Sequence, residues 1–280
     1  MKSLPSLLPL IQAPLVGSFS PLTIAACRAG ALGSLACAAL SADALREQIA
    51  AIRAETDAPF NLNFFSHTPP QPDEAAQARW RDTLAPYYRE AGLDLSAAGS
   101  GPGRAPFDDA MCQVVEDLRP AVVSFHFGLP DEALLERVRR TGALILSSAT
   151  TVKEARWLDA RGVDAIIAQG VEAGGHRGMF LTDDIGAQPG LYALLPQVVD
   201  AVGVPVIAAG GIADGRGIAA AFALGAAAAQ LGTAYLLTPQ AGRSAIHRQA
   251  VRQARDDTTR LTNLYTCLLY TSPSPRDKRQ

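Results

Sequence analysis

VPVIAAGGIADGRGIAAAFALGAAAAQLGT, residues 204–233, decides the fold class. Residues 204–211 are an apolar run too short for a helix and closed by Gly210 and Gly211, the pattern of a buried strand and a turn. Asp214 then offers an N-cap to a helix over 214–224. The next run, AAAAQLGT (226–233), is alanine-rich and passes for helix on propensity. Its position behind one helix and its Gly-Thr ending make it a strand. Strand, turn, helix and strand in this order form a βα unit of a parallel sheet.

Outward from this stretch the alternation repeats. Candidate strands are 8–15, 31–37, 60–65 (FNLNFF), 121–128 (AVVSFHFG), 143–150 and 164–170, before the two at 204–211 and 226–233. Most read as continuously apolar, as parallel strands buried on both faces should. Eight strands, each followed by helix or loop, predict a (β/α)8 TIM barrel. A doubly wound open sheet is the alternative; it would carry its phosphate motif after the first strand, whereas the glycines here gather after strands six, seven and eight. Ser41 predicts an N-cap, Thr151 with Glu154 a capping box, and Pro130 with Asp131 and Glu132 a first helical turn.

Residues 66–106 are an insertion after strand 3. Pro-rich and Gly-rich ends flank a helix over 73–91, which is either a surface excursion or a lid over the strand ends. Near the end, GRSAIHRQAVRQARDDTTRLTN (242–263) reads as helix, a C-terminal helical segment that is cut short. The string CLLYTSPSPRDKRQ, residues 267–280, is similar to translated sequencing-adapter read-through. One domain over 1–266 followed by a non-native tail at 267–280 is therefore expected, with native sequence stopping near Thr266.

Composition narrows the function classes. The chain has 280 residues, 48% of them hydrophobic, and a net charge of −2. It can build a large core, but has no basic field for nucleic acid and, with 6% aromatics, few stacking platforms. Cys27, Cys37, Cys112 and Cys267 show no paired spacing and are expected as free thiols in a reducing compartment. No apolar run reaches membrane-spanning length, and no metal motif occurs. A cytoplasmic protein without membrane, nucleic-acid or metal partners is the expectation; oligomeric state is left open.

The chemistry concentrates in the second half. Gly210 and Gly211 let the backbone approach a ligand, and the helix behind them presents a positive dipole end. Gln230, Leu231, Gly232 and Thr233 close the next strand. Gly211 and Gly232 lie 21 residues apart, one helix plus one strand, and the loops after barrel strands seven and eight commonly hold a phosphate. A phosphorylated metabolite or a flavin mononucleotide would fit. QGVEAGGHRG (169–178) adds Gln169, whose amide suits a heterocycle edge, Gly174 and Gly175, which leave room for a flat ring, and His176, a proton carrier near neutrality. Asn63 is a second amide at a strand end. Ser124 and His126 share one side of their strand, as core residues or as pocket lining. His67, among prolines, is expected in solvent; Arg177 and Arg216 are expected in solvent or, as the alternative for Arg216, against phosphate charge; and Glu172 is expected as a turn cap, with a base as the alternative.

PFNLNFF (59–65), AQGVEAGGHRG (168–178) and the stretch from Val204 to Gly242 together resemble the nitronate monooxygenase family (2-nitropropane dioxygenase-like), over about residues 8–266. The resemblance implies an FMN-containing barrel that oxidises alkyl nitronates with O2 to a carbonyl compound and nitrite. It implies flavin contacts at Asn63, Gln169 and Gly174, a phosphate end at Gly211 and Gln230 to Thr233, and His176 near the substrate as base or anion partner. QAPLVG departs from the family by carrying Leu15 where methionine is usual. The rival readings are an FMN- and NAD(P)H-dependent enoyl-acyl carrier protein reductase, a phosphosugar-type barrel enzyme without flavin, and a non-catalytic flavin binder or inactive truncated product.

Overall fold

The computed structural model describes residues 5–69, 73–97, 104–263 and 268, and the backbone of 270–273. Cys267, the expected boundary at Thr266 and the rest of the tail lie outside the described residues.

All eight strands expected from the apolar runs are present, trimmed at their ends. They are β1 (Leu10–Gln12), β2 (Gly33–Ala36), β3 (Phe60–Phe65), β4 (Val122–His126), β5 (Leu144–Ala149), β6 (Ala165–Gln169), β8 (Val206–Ala209) and β9 (Ala228–Leu231). A two-residue strand, β7 (Gly175–His176), follows β6. The sheet runs β1-β9-β8-β6-β5-β4-β3-β2, parallel throughout. A parallel bridge between Ile11 and Leu32, with Gln12 N donating to Leu32 O at 3.0 Å, joins β1 to β2 and closes the barrel. This is the (β/α)8 architecture; the open-sheet alternative does not occur.

Helices α1 (Ser20–Arg28), α2 (Ala42–Glu55), α4 (Asp109–Leu118), α5 (Glu132–Arg140), α6 (Val152–Asp159), α7 (Leu191–Ala201) and α8 (Gly215–Ala223) surround it. Their apolar spacing decides which face turns inward. Leu45, Ile49 and Ile52 of α2 and Leu134, Leu135 and Val138 of α5 are buried against the sheet. Each such side chain contributes roughly 1.5–3 kcal/mol on burial. Ser41 caps α2 by accepting from Ala44 N at 3.2 Å, and Asp214 caps α8 by accepting from Arg216 N at 2.9 Å.

Three sequence expectations change. Pro130 precedes the N-cap Asp131 instead of sitting in the first turn of α5. Thr151 does accept from Glu154 N, but the Glu154 carboxylate turns away from the reciprocal half of the capping box, as described below. The helix read across 242–263 is confined to α9 (Ala245–Gln253), and β10 (Thr259–Thr262) follows; Asp256, Asp257 and the threonine run are poor helix formers. β10 pairs with β11 (Tyr270–Pro273), which in turn pairs with β7.

The insertion carries α3 (Glu74–Glu90), none of whose residues is buried. Its two legs meet at the C-terminal rim of the barrel, where Ser66 N donates to His126 O at 2.8 Å and Phe107 N to Phe65 O at 2.7 Å.

Gly33 marks the tightest contact between the sheet and α1: a Cβ there would lie 2.8 Å from Cys27 Sγ and closer still to the Thr23 carbonyl oxygen. Gly33→Ala should therefore lower stability by about 1–3 kcal/mol, where an unhindered strand position would tolerate or favour alanine. Urea denaturation of the two proteins measures the difference, and an unchanged midpoint would contradict the contact.

Candidate active site

The barrel interior changes character along its axis. Ile11, Leu32, Val122, Leu146, Ile167 and Ile207 pack its lower part. Above them the inward positions become polar. Asn61 and Asn63 of β3 both donate through Nδ2 to Ser124 Oγ at 2.9 Å. His126, Ser148 and Gln169 follow at the rim. This is the end at which barrel enzymes carry their sites.

The segment 170–178 is irregular apart from β7, yet it is held by a dense set of hydrogen bonds. Gln169 donates from Nε2 to His176 O at 2.9 Å and accepts from Gly178 N at 2.8 Å. His126 Nε2 also lies 3.0 Å from His176 O, and its Nδ1 lies 2.9 Å from Ser148 Oγ. A carbonyl oxygen only accepts, so Nε2 carries the ring proton and Nδ1 accepts from the Ser148 hydroxyl. Gly178 is required by this packing, since a Cβ there would lie 2.5 Å from the His126 ring. Glu172 accepts from Leu191 N and caps α7, as expected of a turn-capping carboxylate.

Arg177 corrects the expectation of a solvated side chain. It is 1% exposed, and its guanidinium donates to Gly170 O at 2.5 Å, Gln169 O at 2.7 Å and Gln188 Oε1 at 2.8 Å. Burial lowers its pKa to about 10, leaving it charged at neutrality. Glu154 is its acidic counterpart, fully buried, accepting from Thr150 N, Phe180 N and Leu181 N at 2.7, 2.7 and 3.1 Å. Neither role was legible beforehand; the only sequence signal was the position of Glu154 in a capping pattern. Arg216, by contrast, is exposed and paired with Asp214, as expected.

His176 is buried beside Phe65 and Phe127, with ring centroids at 5.2 and 6.1 Å. Burial, with the positive charges of His126, Arg104 and His67 in support, lowers its pKa to about 3. Burial likewise lowers His126 to about 4. Both are neutral at pH 7. Phe127 has φ 69°, a left-handed backbone that a bulky residue rarely adopts, at the point where its ring meets His126 and Phe65. His67 also departs from expectation: it is half-buried and its Nδ1 has no hydrogen-bond partner among the described residues.

The glycine corner assembles from three neighbouring loops. A Cβ on Gly174 would lie 3.0 Å from Thr233 Oγ1, and one on Gly210 3.1 Å from Ala173 N. Gly175, Gly210 and Gly211 have φ of 79°, 118° and 66°. Leu15 lies beside Gly232, 3.8 Å from where its Cβ would be. Gln230 points inward from β9 with a buried Oε1 that no described residue satisfies. One expectation shifts: Asp214 takes the Arg216 and Gly217 amides, so the first turn of α8 is already occupied by a carboxylate. Donors for an anion at this corner must come from the loop backbone.

The nitronate monooxygenase family profile matches residues 1–267. The chain belongs to this family. It is 46% identical over 245 residues to the nitronate monooxygenase of Paraburkholderia phytofirmans, covering 87% of this chain and 67% of that one. It is 41% identical over 256 residues to that of Pseudomonas aeruginosa, covering 91% and 73%. The crystal structure of nitroalkane oxidase from Streptomyces ansochromogenes superposes with a TM-score of 0.87 at 43% identity, covering 97% of this chain and 78% of that one. Family membership makes the chain an oxidoreductase. Among the described residues no helix is long and apolar enough to cross a membrane, and no three His, Cys, Asp or Glu side chains cluster to hold a metal. Cys27, Cys37 and Cys112 are buried free thiols.

Two outcomes follow for this member of the family. Arg177→Met removes the donors to Gln169 O, Gly170 O and Gln188 Oε1, of which Gly170 O keeps the Ala173 amide, and should cost about 2–4 kcal/mol, with faster proteolysis within 170–178; urea melts and limited proteolysis read both. The histidines set an acid limb. In the unfolded chain each titrates near 6.5; the folded chain refuses those protons until about pH 4 at His126 and about pH 3 at His176. Their contribution is intact above about pH 6.5 and drains as pH falls through about 4 to about 3. His126→Gln should flatten that limb in a pH series of thermal melts.

Proposed function

We propose that the protein binds FMN in the corner formed by the loops after β6, β8 and β9 and oxidises alkyl nitronates with O2 to a carbonyl compound and nitrite. The observation that carries this reading is the close approach of the loop at Gly174 to Thr233 and of Gly210 to Ala173, with the unsatisfied Gln230 Oε1 on the adjoining strand β9 and buried His176 two residues after Gly174. Close backbone approach is what a planar ring with a phosphate tail needs, and an orphaned buried amide oxygen calls for a donor from a ligand.

Asn63, Gln169, Gly174 and Gly175 would hold the ring. Gln169 keeps one amide hydrogen free for it, since its other hydrogen and its oxygen are engaged. Gly210, Gly211 and the run Gln230, Leu231, Gly232 and Thr233 would hold the phosphate end through backbone N–H groups. FMN, when bound, supplies the electron transfer between substrate carbon and O2 that no side chain here can supply.

His176 divides the substrates. A base with a pKa of about 3 takes a carbon-bound proton poorly at pH 7, so a neutral nitroalkane is not readily activated. A nitronate has already lost that proton. His176 then acts as a neutral hydrogen-bonding wall of the pocket, with the ring oriented by the fixed position of its own carbonyl. Ser124 and His126 lie beneath this wall, Ser124 as a buried hydrogen-bond node and His126 as the support of the loop.

The test is a visible spectrum of the purified protein, mass identification of the released cofactor, and turnover of propyl-2-nitronate and 2-nitropropane between pH 6 and 8. Bound FMN and kcat/KM at least about tenfold higher for the nitronate, with no titration of that parameter near 6.5, are expected. A colourless protein that takes up no FMN overturns the reading. Flavin bleaching by NADPH under argon without nitronate turnover would replace it with a reductase.

A further inference from the structure

The base of the insertion holds a second set of unsatisfied polar atoms. Ser66 Oγ, His67 Nδ1 and Arg104 Nε are buried, and none has a hydrogen-bond partner among the described residues. All three belong to the two legs by which the insertion returns to the barrel rim. Phe107 N bonds Phe65 O at 2.7 Å and Ala105 N bonds Ala38 O at 3.2 Å, which places the leg carrying Arg104 across the ends of the neighbouring strands β2 and β3, and Ser66 and His67 follow β3 directly. Arg104 makes no ion pair among the described residues.

The same two aromatic rings tie this cluster to His176. The Phe65 ring lies 6.0 Å from the His67 ring and 5.2 Å from that of His176; Phe127 lies 5.8 and 6.1 Å from them. Arg104 is close enough for its charge to act on the His176 ring. A guanidinium and a hydroxyl present hydrogens, so the complementary ligand brings acceptors and negative charge. Neutral His176 cannot balance the charge of a nitronate.

We propose that Arg104, with His67 and Ser66, forms the anion subsite of the barrel mouth, taking the oxygens of the nitronate group while its carbon skeleton lies against Phe65 and Phe127 and faces His176. The subsite rests on the nitronate reading above. It makes Arg104 a residue that selects anionic over neutral substrates.

The experiment compares the FMN-loaded full chain with Arg104→Gln and Arg104→Lys. Oxygen uptake with propyl-2-nitronate gives KM and kcat, 2-nitropropane serves as the neutral substrate, and nitrate serves as an inert oxyanion probe titrated by calorimetry. Arg104→Gln should raise the nitronate KM about ten- to hundredfold, weaken nitrate by a similar factor and leave kcat within a few-fold. The KM for the neutral nitroalkane should stay put, and Arg104→Lys should recover part of the loss. His67→Leu should weaken nitrate as well, and it reads the subsite if an Arg104 variant fails to fold. Wild-type nitrate affinity and nitronate KM in Arg104→Gln would overturn the subsite, as would a wild-type protein that binds no nitrate. A wild-type protein that binds nitrate through Arg104 yet oxidises no nitronate would overturn the function and keep the anion site.

Discussion

The mouth of this barrel depends on one peptide group. The carbonyl of His176 accepts from Gln169 at the end of β6 and from His126 at the end of β4, filling both of its lone pairs. Ser148 on β5, the strand between them, holds the other nitrogen of His126. Three adjacent strands thus fix the peptide of His176 in the two-residue strand β7, and with it the backbone from which the imidazole projects. The absence of a side chain at Gly178 and the left-handed backbone at Phe127 are consequences of packing around this point.

Two buried charges extend the same logic. Arg177 and Glu154 make no ion pair among the described residues; each is solvated by peptide groups instead. Removing a charge from water is costly unless hydrogen bonds replace it. Here the replacement is the backbone of the loop itself, so the loop and the charges hold one another in place. The segment from 169 to 181 is consequently rigid without being helix or strand along most of its length.

Much of this was legible in the residues. Parallel strands buried on both faces announce themselves as apolar runs, and the Gly-Gly turn fell directly after the strand expected before it. The N-caps at Ser41 and Asp214 followed from local chemistry alone. What stayed hidden was side-chain direction in irregular segments. Arg177 and His67 look like surface residues by type and neighbours, and only the return of distant chain buries them. Glu154 carries a capping signal, yet Thr150, Phe180 and Leu181 draw its carboxylate inward. The reach of the final helix was overstated because charge-rich sequence hides how poorly Asp and Thr sustain a helix.

The order of strands around the barrel has a further consequence. The glycine loops leave β6, β8 and β9, which are adjacent in the ring, whereas the legs of the insertion join the opposite arc at β2, β3 and β4. The first arc is rich in glycine backbone around Gln169, His176 and Gln230, and the second brings Phe65, Phe127, His67 and Arg104. Among the described residues the two arcs meet through His126, Phe65 and Phe127 at His176, so insertion residues such as Arg104 can be exchanged without removing a hydrogen bond of the glycine loops. Under the proposed function, substrate preference can drift at the insertion while the cofactor corner stays unchanged.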